Sequence, residues 1–145
     1  DSSGKVISIS LDGKVGNDGF QPQQFTSEHF FEAKDMNNDN IPDFIFMDLN
    51  KLSIYNGYSK ELILEKQFEF EIKYKPQFFT FTGNVIKTGI VSEDELFLLN
   101  IDGNIENGFP LKGITPFSVS GNENGMPLIL VTGSSNNSIL IYLLR

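Results

Sequence analysis

Between residues 66 and 75 the chain reads KQFEFEIKYK, with Phe68, Phe70, Ile72 and Tyr74 alternating with Glu69, Glu71, Lys73 and Lys75. Successive side chains of a strand point to opposite faces, so this period of two predicts one buried face and one charged, solvated face. A charged face suits an outer or edge strand, where it discourages pairing with other molecules. Elsewhere, aromatic and β-branched runs are cut by clusters of Asn, Gly and Asp, the pattern of strands joined by turns. No segment carries a convincing helical period. The expected class is all-β.

The strands repeat. VISISLDGKV (6–15) matches LFLLNIDGNI (96–105) position by position, and each ends in an Asp-Gly hairpin turn, so Asp12 and Asp102 lie 90 residues apart. Between them, LSIYNGYSKEL (52–62) sets Tyr58 in the equivalent turn, and SILIYLLR (138–145) supplies a fourth strand without its turn. The turns at 12 and 102 are followed by related segments, NDGFQP (17–22) and NGFPLKG (107–113). A second series aligns DMNNDNIPDFIF (35–46) with SGNENGMPLILV (120–131), and FTFTGNVIKTGIV (79–91) takes the same strand-loop-strand place with a shorter loop.

A unit of about 44 residues with about four short strands is the size of one β-propeller blade. The expected architecture is therefore about three four-stranded antiparallel repeats in a single all-β domain over residues 1–145, divided near 1–26 (partial), 27–75, 76–113 and 114–145 (partial). Three units are too few for the usual closed ring of four to eight blades. The chain is then the incomplete or C-terminal part of a longer propeller, or an open fan whose ends another copy covers. The competing architecture is a β-sandwich with accidental self-similarity.

Candidate chemistry concentrates in KDMNNDNIPD (34–43). With Asp35 at position 1, side-chain oxygens fall at 1 (Asp35), 3 (Asn37), 5 (Asp39) and 9 (Asp43), and the Ile41 carbonyl is available at 7. Alternate oxygens with a carbonyl at 7 are how a tight loop wraps calcium, a hard cation that takes six to eight oxygen ligands. Position 6, where the chain must turn sharply, is Asn40, a residue tolerant of the left-handed conformation. An EF-hand would need Glu at position 12, where Phe46 stands, and flanking helices, where HFFEAK and PDFIFMDL read as strands. Magnesium, which demands stricter octahedral geometry, ranks second. The bland reading is that these Asp and Asn side chains only cap turns; it is preferred for 120–128, where Asp35, Asp39 and Asp43 are replaced by Ser120, Asn124 and Leu128.

DMNNDNIPDFIFMDLNKLSIYN, with a GFP turn in the next unit, resembles the FG-GAP or VCBS repeat of integrin-type propellers and of many bacterial surface and secreted proteins. The resemblance is close over residues 31–60, partial over 96–145 and weak over 77–91. It implies that Asp35, Asn37, Asp39, Asp43 and the Ile41 carbonyl ligate a structural calcium ion. Asn40 departs from the family's Gly.

Catalysis finds little support. There is one histidine, His29, and no cysteine, and nothing in the sequence pairs with His29 as a nucleophile-base couple would require. Glu93, Asp94 and Glu95 in SEDEL could in principle serve a glycosidase, but a charge run before a strand is usually a solvated turn. The glycines of GNENG and VTGSSNNS lack the setting and lysine of a phosphate loop and read as hairpin turns. The net charge of −8 opposes binding to nucleic acid and to anionic lipid. No apolar window is long enough to span a bilayer, and the start DSSGKV is not a secretion signal, so any export signal is expected to have been removed.

The resulting expectation is a non-catalytic, calcium-stabilised binding or scaffold module of an exported protein. The alternative is a fragment of a propeller enzyme, of lyase or hydrolase type, whose active site lies largely outside this chain. Extracellular calcium modules work at about 10⁻⁴ to 10⁻³ M calcium, which argues for a periplasmic, cell-surface or secreted setting. The partner is expected to be a protein or carbohydrate, with a second copy or neighbouring blades at the sheet ends. Tyr58 stands at a hairpin tip, whereas Phe20 and Phe109 are expected to be buried.

Overall fold

A computed structural model describes residues 4–16, 19–26, 28–120 and 127–144. Among these the chain forms eleven β-strands and one three-residue 3₁₀ turn, with no α-helix. Sheet 1 is the meander β1 (Phe30–Lys34), β2 (Asp43–Asp48), β3 (Lys51–Tyr55) and β4 (Leu62–Gln67). Sheet 2 repeats it with β5 (Gln77–Phe81), β6 (Val85–Val91), β7 (Glu95–Leu99) and β8 (Leu111–Lys112). Sheet 3 contains β9 (Ser118–Ser120), β10 (Leu128–Gly133) and β11 (Ile139–Leu144), with β10 in the middle. Among the described residues all pairings are antiparallel, and none of these sheets closes on itself.

The sheets bury one another through alternate residues. Ile45 and Met47 on β2 and Leu52 and Ile54 on β3 meet Ile86 and Ile90 on β6 and Phe97 and Leu99 on β7, which joins sheet 1 to one face of sheet 2. The other face of sheet 2 carries Val91 and Leu96 and packs on Phe117 and Leu130 of the third unit. Gly89 makes that approach possible: a Cβ there would lie 2.7 Å from the rings of both Phe79 and Phe117. Sheet 2 is thus the middle layer, and burying a large aliphatic or aromatic side chain of this kind contributes about 1.5–3 kcal/mol.

The outer face of sheet 1 is covered by the N-terminal segment. Phe25 stacks on Phe46 with centroids 4.6 Å apart, and Phe20 sits 5.8 Å from Phe44 and 5.2 Å from Tyr55. This segment is itself a hairpin, bridged at Val6–Phe20 and Ile9–Val15. The 90-residue repeat holds at the level of hydrogen bonds. Ser10 N–H donates to the Lys14 carbonyl as Asn100 N–H does to Asn104, and Gly13 N–H donates to Ser10 as Gly103 N–H does to Asn100. Gly13 and Gly103 both adopt the left-handed conformation the turn requires, at φ 81° and 76°.

The stretch whose alternation predicts a strand, KQFEFEIKYK, is not one beyond Gln67. Ladder pairing ends at Gln67, and residues 68–75 cross from sheet 1 to sheet 2. Their N–H groups bond to strand ends instead: Phe68 to the Asn50 carbonyl, Ile72 to Leu49 and Lys73 to Val91. The alternation nevertheless reports burial correctly for Phe68 and Ile72, both in the core, because a crossover that plugs the sheet ends also needs one apolar side. Tyr74, by contrast, is exposed.

Candidate metal centre

The loop 35–42 joins β1 to β2, so it is held by a strand on each side, as the flanking segments HFFEAK and PDFIFMDL anticipate. Its backbone turns through two left-handed residues, Asn38 (φ 63°) and Asn40 (φ 68°), which places Asn40 in the conformation expected at position 6. Asp35 reaches across the loop: its Oδ1 accepts from Asp39 N–H at 3.2 Å and its Oδ2 from Asn40 N–H at 2.8 Å. Asn37 Oδ1 accepts from Asp39 N–H at 3.0 Å, and Asp39 Oδ1 from Ile41 N–H at 2.7 Å. Asn37 Nδ2 donates to Asp39 Oδ2 at 3.1 Å. Each of these oxygens keeps a second lone pair for another partner.

Asp43 opens β2 and is fully buried. Two backbone donors reach its carboxylate, Met36 N–H to Oδ2 at 3.0 Å and Gly57 N–H to Oδ1 at 3.3 Å. Burial pushes its pKa above the ordinary carboxylate range. The two N–H donors pull the other way, and the charges of Asp39 and Asp35 raise it further. A buried carboxylate with two like charges nearby is costly unless a cation or a proton compensates it.

The turn between β3 and β4 closes against this loop, a contribution that spacing within 34–43 does not reveal. A Cβ on Gly57 would lie 1.8 Å from the Pro42 carbonyl oxygen, so only glycine lets the turn come close enough to donate to Asp43. Asn56 Nδ2 lies 3.5 Å from Asp39 Oδ2, and Asn56 Oδ1 accepts from Tyr58 and Ser59 N–H, which folds the turn. Asn38 Nδ2 donates to the Asn84 carbonyl, tying the loop to the β5–β6 connection of sheet 2. The only sequence signal for this support is the Asn-Gly pair at 56–57, which by itself reads as an ordinary hairpin turn.

The donor set suits a hard cation, since Asp35, Asn37, Asp39, Ile41 and Asp43 offer oxygen alone. Among the described residues no three His, Cys, Asp or Glu side chains are gathered tightly enough to hold a metal by themselves. An ion at this loop would therefore depend on the Asn37 amide and the Ile41 carbonyl as well as on the three acids. The loop aligned with it lies mostly outside the described residues, at positions 121–126, including Asn122 and Asn124.

The opposite end of sheet 1 has a groove of about 240 Å³ lined by Glu28, His29, Met47, Leu49, Glu71 and Lys73 among others. His29 is anchored there by its Nδ1, 2.7 Å from the Thr26 carbonyl, and by stacking on Phe25 at 5.0 Å. Glu93 is largely exposed and lies 3.9 Å from Lys73 Nζ, and Asp94 and Glu95 pair with Lys112, as suits a solvated turn. Tyr58 is 80% exposed at its turn, whereas Phe20 and Phe109 are partly buried against other aromatics or the second core. No helix among the described residues is long and apolar enough to cross a membrane. In comparisons with known proteins, no family model, curated protein or solved structure matches the chain.

Proposed function

We propose that this chain is a non-catalytic module of propeller-type sheets, stabilised by one structural calcium ion at Asp35, Asn37, Asp39, Ile41 and Asp43, which serves as the binding or scaffold part of an exported protein. The observation that carries this reading is Asp43, a carboxylate excluded from solvent whose pKa is raised by that burial and further by Asp39 and Asp35, with two N–H donors as its hydrogen-bond partners. A divalent cation offsets the mutual repulsion of the three acids. The three consecutive meanders support the propeller-type reading, as does the resemblance of residues 31–60 to FG-GAP or VCBS repeats. The absence of a partnered nucleophile in the sequence favours a binding role, and the net charge of −8 directs it toward protein or carbohydrate rather than nucleic acid. Extracellular calcium modules work at about 10⁻⁴ to 10⁻³ M calcium, and a structural ion of that class supports an extracytoplasmic setting.

Calorimetric titration tests the ion directly. The native chain is expected to take up one calcium per chain, and Asp39→Ala, at an exposed position of the loop, is expected to take up none. Absence of calcium heat in the native chain, or equal binding by both proteins, would remove the basis of this function.

A further inference from the structure

Two Asn-Gly pairs lie in described connections, Asn56-Gly57 between β3 and β4 and Asn107-Gly108 between β7 and β8. The pair carries its own chemistry, because a glycine without Cβ leaves its backbone nitrogen unhindered beside the asparagine side chain. The glycine nitrogen bonds to Asn Cγ, the Cγ–Nδ2 bond breaks, and ammonia leaves with the proton lost from that nitrogen. Water then opens the five-membered imide at either carbonyl and leaves aspartate or isoaspartate. Ring closure requires a glycine N–H able to lose its proton, a side chain able to turn toward it, and a backbone able to rotate between them.

Asn56 is held at each of these points. Gly57 N–H donates to Asp43 Oδ1 at 3.3 Å, so losing the proton would break that bond and set two negative charges side by side. Asn56 Oδ1 accepts from Tyr58 and Ser59 N–H at 2.9 and 2.8 Å, which fixes the side chain. Asn56 N–H donates to the Glu61 carbonyl at 2.8 Å, and the Asn56 carbonyl accepts from Lys60 N–H at 2.9 Å, which fixes the backbone. Gly57 also presses on the Pro42 carbonyl, so rotation there meets main chain.

Asn107 has none of these restraints. It and Gly108 are both exposed. Among the described residues, neither the Asn107 side chain nor the Gly108 N–H meets a hydrogen-bond partner. A Cβ on Gly108 would find its nearest neighbour, Leu144, at 3.8 Å, so the turn has room to rearrange. The bond that closes the turn, from Phe109 N–H to the Glu106 carbonyl at 3.1 Å, engages neither reacting group.

We propose that Asn107 is a site of spontaneous deamidation in the folded protein, with water as co-reactant, and that the β3–β4 turn protects the chemically equivalent Asn56. The product adds one negative charge to the net −8 and places it next to Glu106, whose ion pair with Lys87 at 2.8 Å ties this turn to β6. Isoaspartate would also lengthen the backbone inside the turn that Phe109 N–H closes. A third Asn-Gly pair, at 124–125, lies outside the described residues.

Peptide mapping by mass spectrometry tests this after incubation in mildly alkaline buffer, for the folded chain and for the chain in urea. Trypsin releases the two pairs in separate peptides, 52–60 and 88–112. Each pair is compared with its own rate in urea. Folded Asn107 is expected to convert at close to its urea rate, and folded Asn56 about tenfold more slowly or less, since one hydrogen bond to a charged group is worth about that factor. Asn107→Gln should abolish the mass shift of 88–112, which also contains Asn100 and Asn104. Folded Asn56 converting as fast as in urea, folded Asn107 slowed as much as Asn56, or a shift of 88–112 that survives Asn107→Gln would each overturn the proposal.

Discussion

Replacing Asp43 with alanine would leave the N–H groups of Met36 and Gly57 without their acceptor. A buried donor left unpaired costs about 1–3 kcal/mol, so Asp43→Ala should lower the urea midpoint by that order even with no ion present. Gly57→Ala is a sterically different test at the same place. Its methyl would overlap the Pro42 carbonyl, and because backbone rather than a flexible side chain must move, a loss of about 1–3 kcal/mol or more is expected in the same urea series. Tyr55 carries a pH signature. Burial between Phe20 and Phe46, aided by Glu65, raises its pKa above the usual 10.0. The folded state then holds the phenol proton more tightly than the unfolded chain. Its contribution is fully present below pH 10.0 and is lost as pH climbs through the folded value. Tyr55→Phe should remove that part of the alkaline fall in melting temperature, measured as the difference between the two proteins' pH profiles.

At the scale of elements, the instructive segment is 68–75. Strict alternation is a statement about which side chains are buried, and ladder pairing is a separate fact that depends on a neighbour lying within hydrogen-bonding distance. Here the neighbours are the β2–β3 turn and the end of β6, reached through Asn50, Leu49 and Val91, so the segment alternates without being a strand. Ile72→Ala should therefore cost as much as a core substitution, about 2–5 kcal/mol. Tyr74→Ala, at an exposed position, should stay within about 0.5 kcal/mol in equilibrium unfolding. The repeat was more legible than this crossover. Asp12-Gly13 and Asp102-Gly103 declare their turns locally, and identical turns recur with identical hydrogen bonds. The place of loop 35–42 between two strands and the left-handed turn at Asn40 were legible for the same reason, since both are set within a dozen residues. Gly57, Asn56 and Asn84 were not, because their approach to the loop is set by how β4 returns along β3 and how sheet 2 lies on sheet 1. No local spacing encodes either.

For the whole molecule, the sequence supports an all-β chain of consecutive antiparallel meanders, and the structure bears this out with sheets of four, four and three strands. Each layer buries its faces against the next, so stability is shared along the stack and a change at one connection is felt by two sheets. The 35–42 loop occupies such a connection: it fastens β1 to β2, receives the β3–β4 turn and reaches Asn84 beside sheet 2. An ion bound there stabilises the native state according to its concentration relative to its dissociation constant, about 2.7 kcal/mol at a hundredfold excess. The most direct measurement is the melting temperature of the native chain and of Asp39→Ala, each in millimolar calcium and in excess chelator. The account predicts a native chain several degrees more stable with calcium, and a mutant whose melting temperature is the same in both. A native melting temperature unmoved by calcium or chelator would contradict it, and would leave DMNNDNIPD as a turn closed by its own hydrogen bonds.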